Sequence, residues 1–154
     1  MRMANWPDWF KCTDSSPGRS KAPNSTVNFQ VECWNSESGS PVKQIRLSVS
    51  GLQIRCLIAG VSGPSVLLLH GAGLDAAGLS LGSAMLTLAD MCRVFAPDLP
   101  GFGDSDPMPS GWGFSEYSAF LSPFLDALGL ARASLTGLSM GGGIALGVTT
   151  EFGV

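Results

Sequence analysis

Histidine is nearly absent from this chain: 154 residues hold one, His70, beside a single tyrosine. A zinc site built from several imidazoles is therefore not indicated, and any histidine-based proton transfer within the chain has one candidate. The four cysteines, Cys12, Cys33, Cys56 and Cys92, form no C-x-x-C pair, so neither a zinc ribbon nor a redox motif is present. They read as thiols of a reducing compartment, which predicts a cytoplasmic protein. Charge is also scarce, at 14% of residues, with 9 Lys and Arg against 12 Asp and Glu and a net charge of −3. No basic footprint for nucleic acid exists. Long apolar runs are missing too: the largest, "SVLLL" from Ser65, is strand-sized, far short of the ~20 residues a bilayer needs. The N-terminus lacks the apolar stretch of a secretory signal, and Asp8 and Asp14 argue against a transit peptide. No metal and no organic cofactor is implied.

What the chain does have is distributed unevenly. Residues 1 to about 40 are rich in Ser, Asn and Pro without sustained periodicity, which predicts a polar, flexible extension. Trp6, Trp9 and Phe10 are its apolar exception. From Val42 onward the pattern becomes ordered. Ile45, Leu47 and Val49, then Leu52, Ile54, Cys56 and Ile58, alternate around Ser50-Gly51, which predicts an antiparallel hairpin with a tight turn. The run Val66 to Leu69 is apolar on both faces, as in a parallel strand covered on both sides.

Leu81, Ala84, Met85 and Leu88 predict an amphipathic helix, and Arg93 to Ala96 a short strand before a Pro- and Gly-rich loop. Tyr117, Phe120, Leu121, Phe124, Leu125 and Leu128 follow helical spacing, with Ser115 a candidate N-cap, Gly129 a stop, and Pro123 predicting a kink near Ser118 to Ala119. "RASLTG" reads as a strand and "MGGGIALGVTT" as the helix after it. Strands alternating with helices predict an α/β fold, with a mostly parallel sheet of about five strands, helices on both faces and an antiparallel hairpin at the N-terminal edge.

Two segments fit G-x-S-x-G, Gly78 to Gly82 and Gly137 to Gly141. With 20 Gly and 20 Ser, the pattern arises by chance in roughly a third of such chains, so context must decide. Ser139 lies between a strand and a helix, where a sharp turn projects a hydroxyl above a sheet. Ser80 has no strand before it and reads as an N-cap or first-turn serine. "LLLHGAG", Leu67 to Gly73, adds a strand followed by a glycine turn. Acyl transfer needs two backbone N–H donors aimed at the developing oxyanion, and Ala72 and Met140 stand in the two expected places.

Together "VLLLHGAG", "RVFAPDLPGFGDSD" and "ASLTGLSMGGGIALG" resemble, in order and spacing, the first half of the α/β-hydrolase fold over residues 44 to 150. The resemblance implies Ser139 as nucleophile, Ala72 and Met140 as oxyanion-hole donors, and a small-molecule ester or related acyl or carbon–carbon bond as substrate. It sets the chain apart from relatives whose nucleophile is Asp, such as haloalkane dehalogenases and epoxide hydrolases. The same family carries its base, a histidine, and its acid after the nucleophile, and the fifteen residues following Ser139 hold no histidine and no acid besides Glu151.

His70, at the end of a buried strand, reads as a residue that shapes the loop, and Asp98, Asp104 and Asp106 read as turn-capping groups. The chain is thus expected to be an incomplete hydrolase core over residues 41 to 154, inactive alone. Its final strand would be an open edge suited to a partner chain that completes the sheet. The alternative is a non-catalytic hydrolase-like interaction or regulatory module. Trp112 and Phe114 read as packing the start of the following helix.

Overall fold

The computed structural model describes the backbone of Phe29–Gln30 and of residues 42–151, and side chains from 42 to 149. Trp6, Trp9 and Phe10 lie outside these residues. The chain forms β1 (Phe29–Gln30), β2 (Lys43–Val49), β3 (Leu52–Ala59), β4 (Ser65–Leu69), α1 (Ala77–Ser80), α2 (Gly82–Leu88), β5 (Arg93–Pro97), α3 (Phe114–Ala127), β6 (Ser134–Gly137) and α4 (Met140–Glu151). The strands make one sheet of order β1-β2-β3-β5-β4-β6.

The sheet is mixed rather than mostly parallel. Pairing is antiparallel from β1 through β2 and β3 to β5, and parallel only where β4 meets β5 and β6. The hairpin is thus built into the sheet rather than appended to it, and Phe29–Gln30, inside the polar extension, adds a sixth strand along β2. The β2–β3 turn holds Ser50 at φ 50° and Gly51 at φ 84°. Two successive positive φ values match the twist of a two-residue hairpin.

Alternation along the strands decides which residues meet which helices, because successive side chains leave opposite faces of a sheet. Leu67 and Leu69 of β4, Phe95 of β5, and Ile54, Cys56 and Ile58 of β3 join one core with Tyr117, Phe120, Leu121 and Phe124 of α3 and Ile144 and Val148 of α4. Val66 and Leu68, Val94 and Ala96, and Leu57 and Ala59 point the other way, onto Ala77, Leu81 and Met85 of the α1–α2 segment. Helices therefore cover both faces. Ala84 does not share in this stripe, since it is exposed while Ala77, Leu81 and Met85, four residues apart, are buried.

Helix α3 starts two residues earlier than Ser115 capping would allow: Gly113 is the N-cap, and Glu116 reaches back to its N–H at 2.7 Å. Glycine has no side chain to return that bond, so only half of a capping box exists. At the other end Gly129 takes φ 67°, the left-handed stop its position predicts. The helix continues through Pro123. Helices α3 and α4 approach closely because α4 presents glycine where α3 presents side chains: a Cβ on Gly143 would strike the Phe114 ring, and one on Gly147 the Ser118 hydroxyl. No helix among the described residues is long and apolar enough to cross a membrane.

Candidate functional site

Ser139 stands between β6, which ends at Gly137, and α4, which begins at Met140. Its φ is 51°, and Ser50 is the sole other non-glycine at positive φ among the described residues. An L-residue there brings its Cβ against the neighbouring carbonyl, a cost of ~1–2 kcal/mol that the surrounding packing must offset. Flanking glycines make the turn physically available. A Cβ on Gly137 would run into the backbone of Gly141 and Gly142, and one on Gly141 into the carbonyl oxygens of Leu69 and His70. The helix start is thereby pressed onto the end of β4, where the Leu138 N–H donates to the Leu69 carbonyl at 2.9 Å. Ser139 itself is exposed.

The glycine turn after β4 lies alongside. A Cβ on Gly71 would lie 3.6 Å from the Leu138 carbonyl oxygen and 3.6 Å from the Ser139 Cβ, so the loop runs close beside the elbow with room for little more than glycine between them. Neither the Ala72 N–H nor the Met140 N–H has an acceptor among the described residues. Both N–H groups are thus unbonded among the described residues, one next after Ser139 in the chain and one next after Gly71.

His70 is fully buried, with both ring nitrogens engaged. The Leu99 N–H donates to Nε2 at 3.0 Å, which makes Nε2 an acceptor and leaves Nδ1 to donate to the Gly71 carbonyl at 2.7 Å. The ring also meets Phe102 edge-on at 5.0 Å. His70 therefore shapes the loop and is not free to accept a proton from Ser139.

Asp98, fully buried at the end of β5, ties the rest together. Its carboxylate pairs with the Arg55 guanidinium at 2.9 Å and accepts the N–H groups of Ala77 at 2.9 Å and Asp104 at 3.0 Å. Arg55 also donates to Gln44 Oε1 at 2.8 Å. A Cβ on Gly103 would overlap the Asp98 carboxylate, so only glycine lets the loop close over it. The loop then continues the ladder where β5 leaves β3. The Asp98 N–H donates to the Arg55 carbonyl at 2.9 Å, the Asp106 N–H to that of Gln53 at 2.9 Å, and Asp106 Oδ2 accepts the Gln53 N–H at 2.7 Å. Asp98 and Asp106 thus fasten the Pro- and Gly-rich loop through their carboxylates, while the Asp104 carboxylate instead pairs with Arg55 at 3.5 Å.

The segment from His70 to Ala77 is thus pinned at both ends to adjacent residues, Leu99 and Asp98. Within it, Asp75 accepts the Gly71 N–H at 2.9 Å and the Ser80 hydroxyl at 3.1 Å on Oδ2, and the Ala76 N–H at 2.8 Å on Oδ1. Desolvation pushes the Asp75 carboxyl up, but the bonds from Ala76, Gly71 and Ser80 outweigh it and hold the group below the usual aspartate range. Ser80 is not an N-cap; it lies in the single turn of the short α1, whose N-cap is Ala76. Neither Asp75 nor Arg55 stands out in the sequence. An acid four residues after a glycine turn was the available signal for Asp75; nothing local marks Arg55, which is 43 positions from Asp98.

Trp112 packs edge-on against Tyr117 at 5.5 Å and tilts onto Phe120 at 5.7 Å, at the start of α3. Burial pushes the Tyr117 phenol up, and its hydroxyl donates to the Pro100 carbonyl at 2.7 Å. Phe114 is 58% exposed and lies against Gly143, one helical turn beyond Ser139.

Comparison with known proteins agrees with this geometry. The chain is 36% identical over 97 residues to the dihydrolipoyllysine-residue acetyltransferase component of the acetoin cleaving system of Cupriavidus necator, covering 63% of this chain and 25% of that protein. It is 37% identical over 93 residues to the 2-hydroxy-6-oxo-2,4-heptadienoate hydrolase of Pseudomonas putida, covering 59% and 34%. Its structure superposes on a serine hydrolase involved in carbazole degradation with a TM-score of 0.68 at 28% identity, over 73% of this chain and 44% of that one. The chain thus spans a quarter to a third of the length of these curated relatives. Residues 66–154 match the alpha/beta hydrolase family. With the strand–serine–helix elbow and the glycine turn beside it, that match places the chain in the α/β-hydrolase family.

Proposed function

We propose that this chain carries the nucleophile and oxyanion hole of a serine hydrolase acting on a small-molecule ester or a related acyl or carbon–carbon bond. The observation that carries the reading is Ser139, held at φ 51° between β6 and α4 close beside the Gly71 loop. A strained, exposed serine with two unbonded N–H groups beside it suits addition to a carbonyl. Ser139 Oγ bonds to the carbonyl carbon while its proton passes to a base, and the carbonyl oxygen, now anionic, accepts from the Ala72 and Met140 N–H groups. Collapse expels the leaving group, and water then cleaves the acyl-enzyme. Serine rather than aspartate at this position favours acyl chemistry over the relatives that use an aspartate nucleophile.

The base is the element these 154 residues do not provide, because His70, the one histidine, has both nitrogens occupied. Loss of a triad histidine lowers turnover by about 10⁶, leaving some 10³ to 10⁴ over water from the oxyanion hole and binding. The chain by itself is therefore nearly inactive. Purified chain and Ser139→Ala should hydrolyse a p-nitrophenyl ester at rates differing by less than about twofold; a robust rate that vanishes in Ser139→Ala overturns this part. The same occupied His70 favours the second reading, a hydrolase-like module without chemistry of its own. Slow labelling of Ser139 by a fluorophosphonate, faster than at Ser50, separates the two, since an oxyanion hole speeds attack even where no base assists.

The outer edge of β6 belongs to the same proposal. It borders a groove of about 620 Å³ lined by Ala131, Ala133, Leu135, Ala145 and Leu146 together with Arg132 and Thr149, where a strand from a partner chain would complete the sheet. A monodisperse monomer in size-exclusion chromatography with a cooperative melt argues against that partner. A cytoplasmic location is supported by the free thiols of Cys56 and Cys92.

A further inference from the structure

The G-x-S-x-G segment that is not the elbow still bears on the elbow. We propose that Asp75, steadied by Ser80, is the positioning residue of the oxyanion loop: it takes the Gly71 N–H out of the site and thereby presents the Ala72 N–H to Ser139. This rests on the reading of Ser139 as nucleophile.

Three observations carry it. Asp75 Oδ2 and the Ser139 Cβ lie 3.2 Å and 3.6 Å from one point, the Cβ position of Gly71, so the carboxylate and the nucleophile sit about a single glycine. The carboxylate accepts on both oxygens from its own loop, the N–H groups of Gly71 and Ala76 and the Ser80 hydroxyl, which fixes its orientation. Finally, the segment is anchored at His70 and Ala77 by the β5 side of the molecule, and Asp75 supplies the side-chain brace between those anchors among the described residues.

The brace has physical consequences because the loop is otherwise soft. Gly71 and Gly73 flank Ala72, and Gly73 sits at φ 84°, where glycine alone is at ease. Without the carboxylate the His70–Gly71 peptide loses its N–H partner, and the freed Gly71 N–H competes with that of Ala72, whose own peptide stays fixed by the His70 bond to the Gly71 carbonyl, for one oxyanion. The carboxylate keeps Gly71 N–H occupied by a charge-assisted bond, which is stronger than a neutral one. An acid this close to a developing oxyanion is tolerable when its charge is spent on donors, and three are present.

The test uses the 154-residue chain with two readouts: amide exchange at Gly71 by NMR and the rate at which a fluorophosphonate modifies Ser139. Asp75→Ala should speed Gly71 exchange and slow Ser139 modification, each by about tenfold, as loss of one charge-assisted bond implies. Asp75→Asn, which keeps one acceptor oxygen, should recover part of both, and the exposed Ser80→Ala should shift both by about twofold to threefold. Ser80→Ala decides the matter if Asp75→Ala does not fold. Unchanged Gly71 exchange overturns the proposal. So does faster exchange with an undiminished rate at Ser139, which makes Asp75 a merely structural brace. A wild-type chain whose Ser139 never reacts overturns the nucleophile reading instead, and Gly71 exchange then decides the brace alone.

Discussion

Replacing Ser139 by glycine should stabilise this protein. The residue sits at φ 51°, a region that costs an L-amino acid ~1–2 kcal/mol because Cβ crowds the adjacent carbonyl. Glycine removes that crowding but gains freedom in the unfolded chain, which returns roughly 0.4–1 kcal/mol. The net expectation is a gain of about 0.5–1 kcal/mol, seen as an upward Tm shift of about 2–5 °C in a domain of this size. Ser139→Ala is the control, since it keeps Cβ and loses only an exposed hydroxyl, so its stability should stay within ~0.5 kcal/mol of wild type. Urea unfolding of the three proteins, compared at constant m, measures the difference through the midpoints. Ser50→Gly supplies an independent scale: Ser50 has φ 50° in a turn with no catalytic reading, and the same physics should give a similar gain. If Ser139→Gly is no more stable than Ser139→Ala while Ser50→Gly gains, the elbow does not store strain, and the argument from its φ fails.

Other perturbations follow from the packing around the site. Arg55→Met removes the guanidinium from a fully buried Asp98 carboxylate that keeps two N–H donors, and should cost about 3 kcal/mol in urea unfolding; a loss under ~1 kcal/mol refutes a contributing pair. Gly141→Ala places a Cβ against the carbonyl oxygens of Leu69 and His70, so the elbow must open; circular dichroism should show a destabilised fold by ~2 kcal/mol or more, whereas an unperturbed melt contradicts that contact. Burial pushes the Cys56 thiol up, so in 42–151 iodoacetamide should label Cys92 first and reach Cys56 only on unfolding. The bond from Gly113 N–H holds the Glu116 carboxyl below its ordinary 4.5. Its capping contribution is thus complete above that value and fades as pH falls through the lowered one; an NMR titration with its midpoint at or above the ordinary value removes the bond.

Elements built on local repetition were legible from the residues alone. The alternation around Ser50-Gly51 marks β2 and β3, the apolar run Val66 to Leu69 marks β4, and the spacing from Tyr117 to Leu128 marks α3, because burial imposes a period of two on strands and near 3.6 on helices. The elbow was legible for the same kind of reason: a strand, two glycines about a serine, and a helix are neighbours in the chain. Boundaries were less so. Glycine caps α3 because the Glu116 side chain serves its N–H, and Phe29–Gln30 becomes a strand because β2 offers it an edge. Neither fact is written in local composition.

The residues by themselves determined the order of strands and helices, the two-sided core, and which of two matching serines stands at a strand-to-helix turn. These follow from spacing along one chain. Tertiary structure decided that the sheet is mixed, that both nitrogens of His70 are spent on Leu99 and Gly71, and that Arg55 and Asp98 lock a loop across 43 positions. It also decided that Ser80, through Asp75, bears on the glycine turn beside Ser139. Such contacts depend on directional bonds between groups that only folding brings within about 3 Å, and no periodicity in the chain encodes which donor will meet which acceptor.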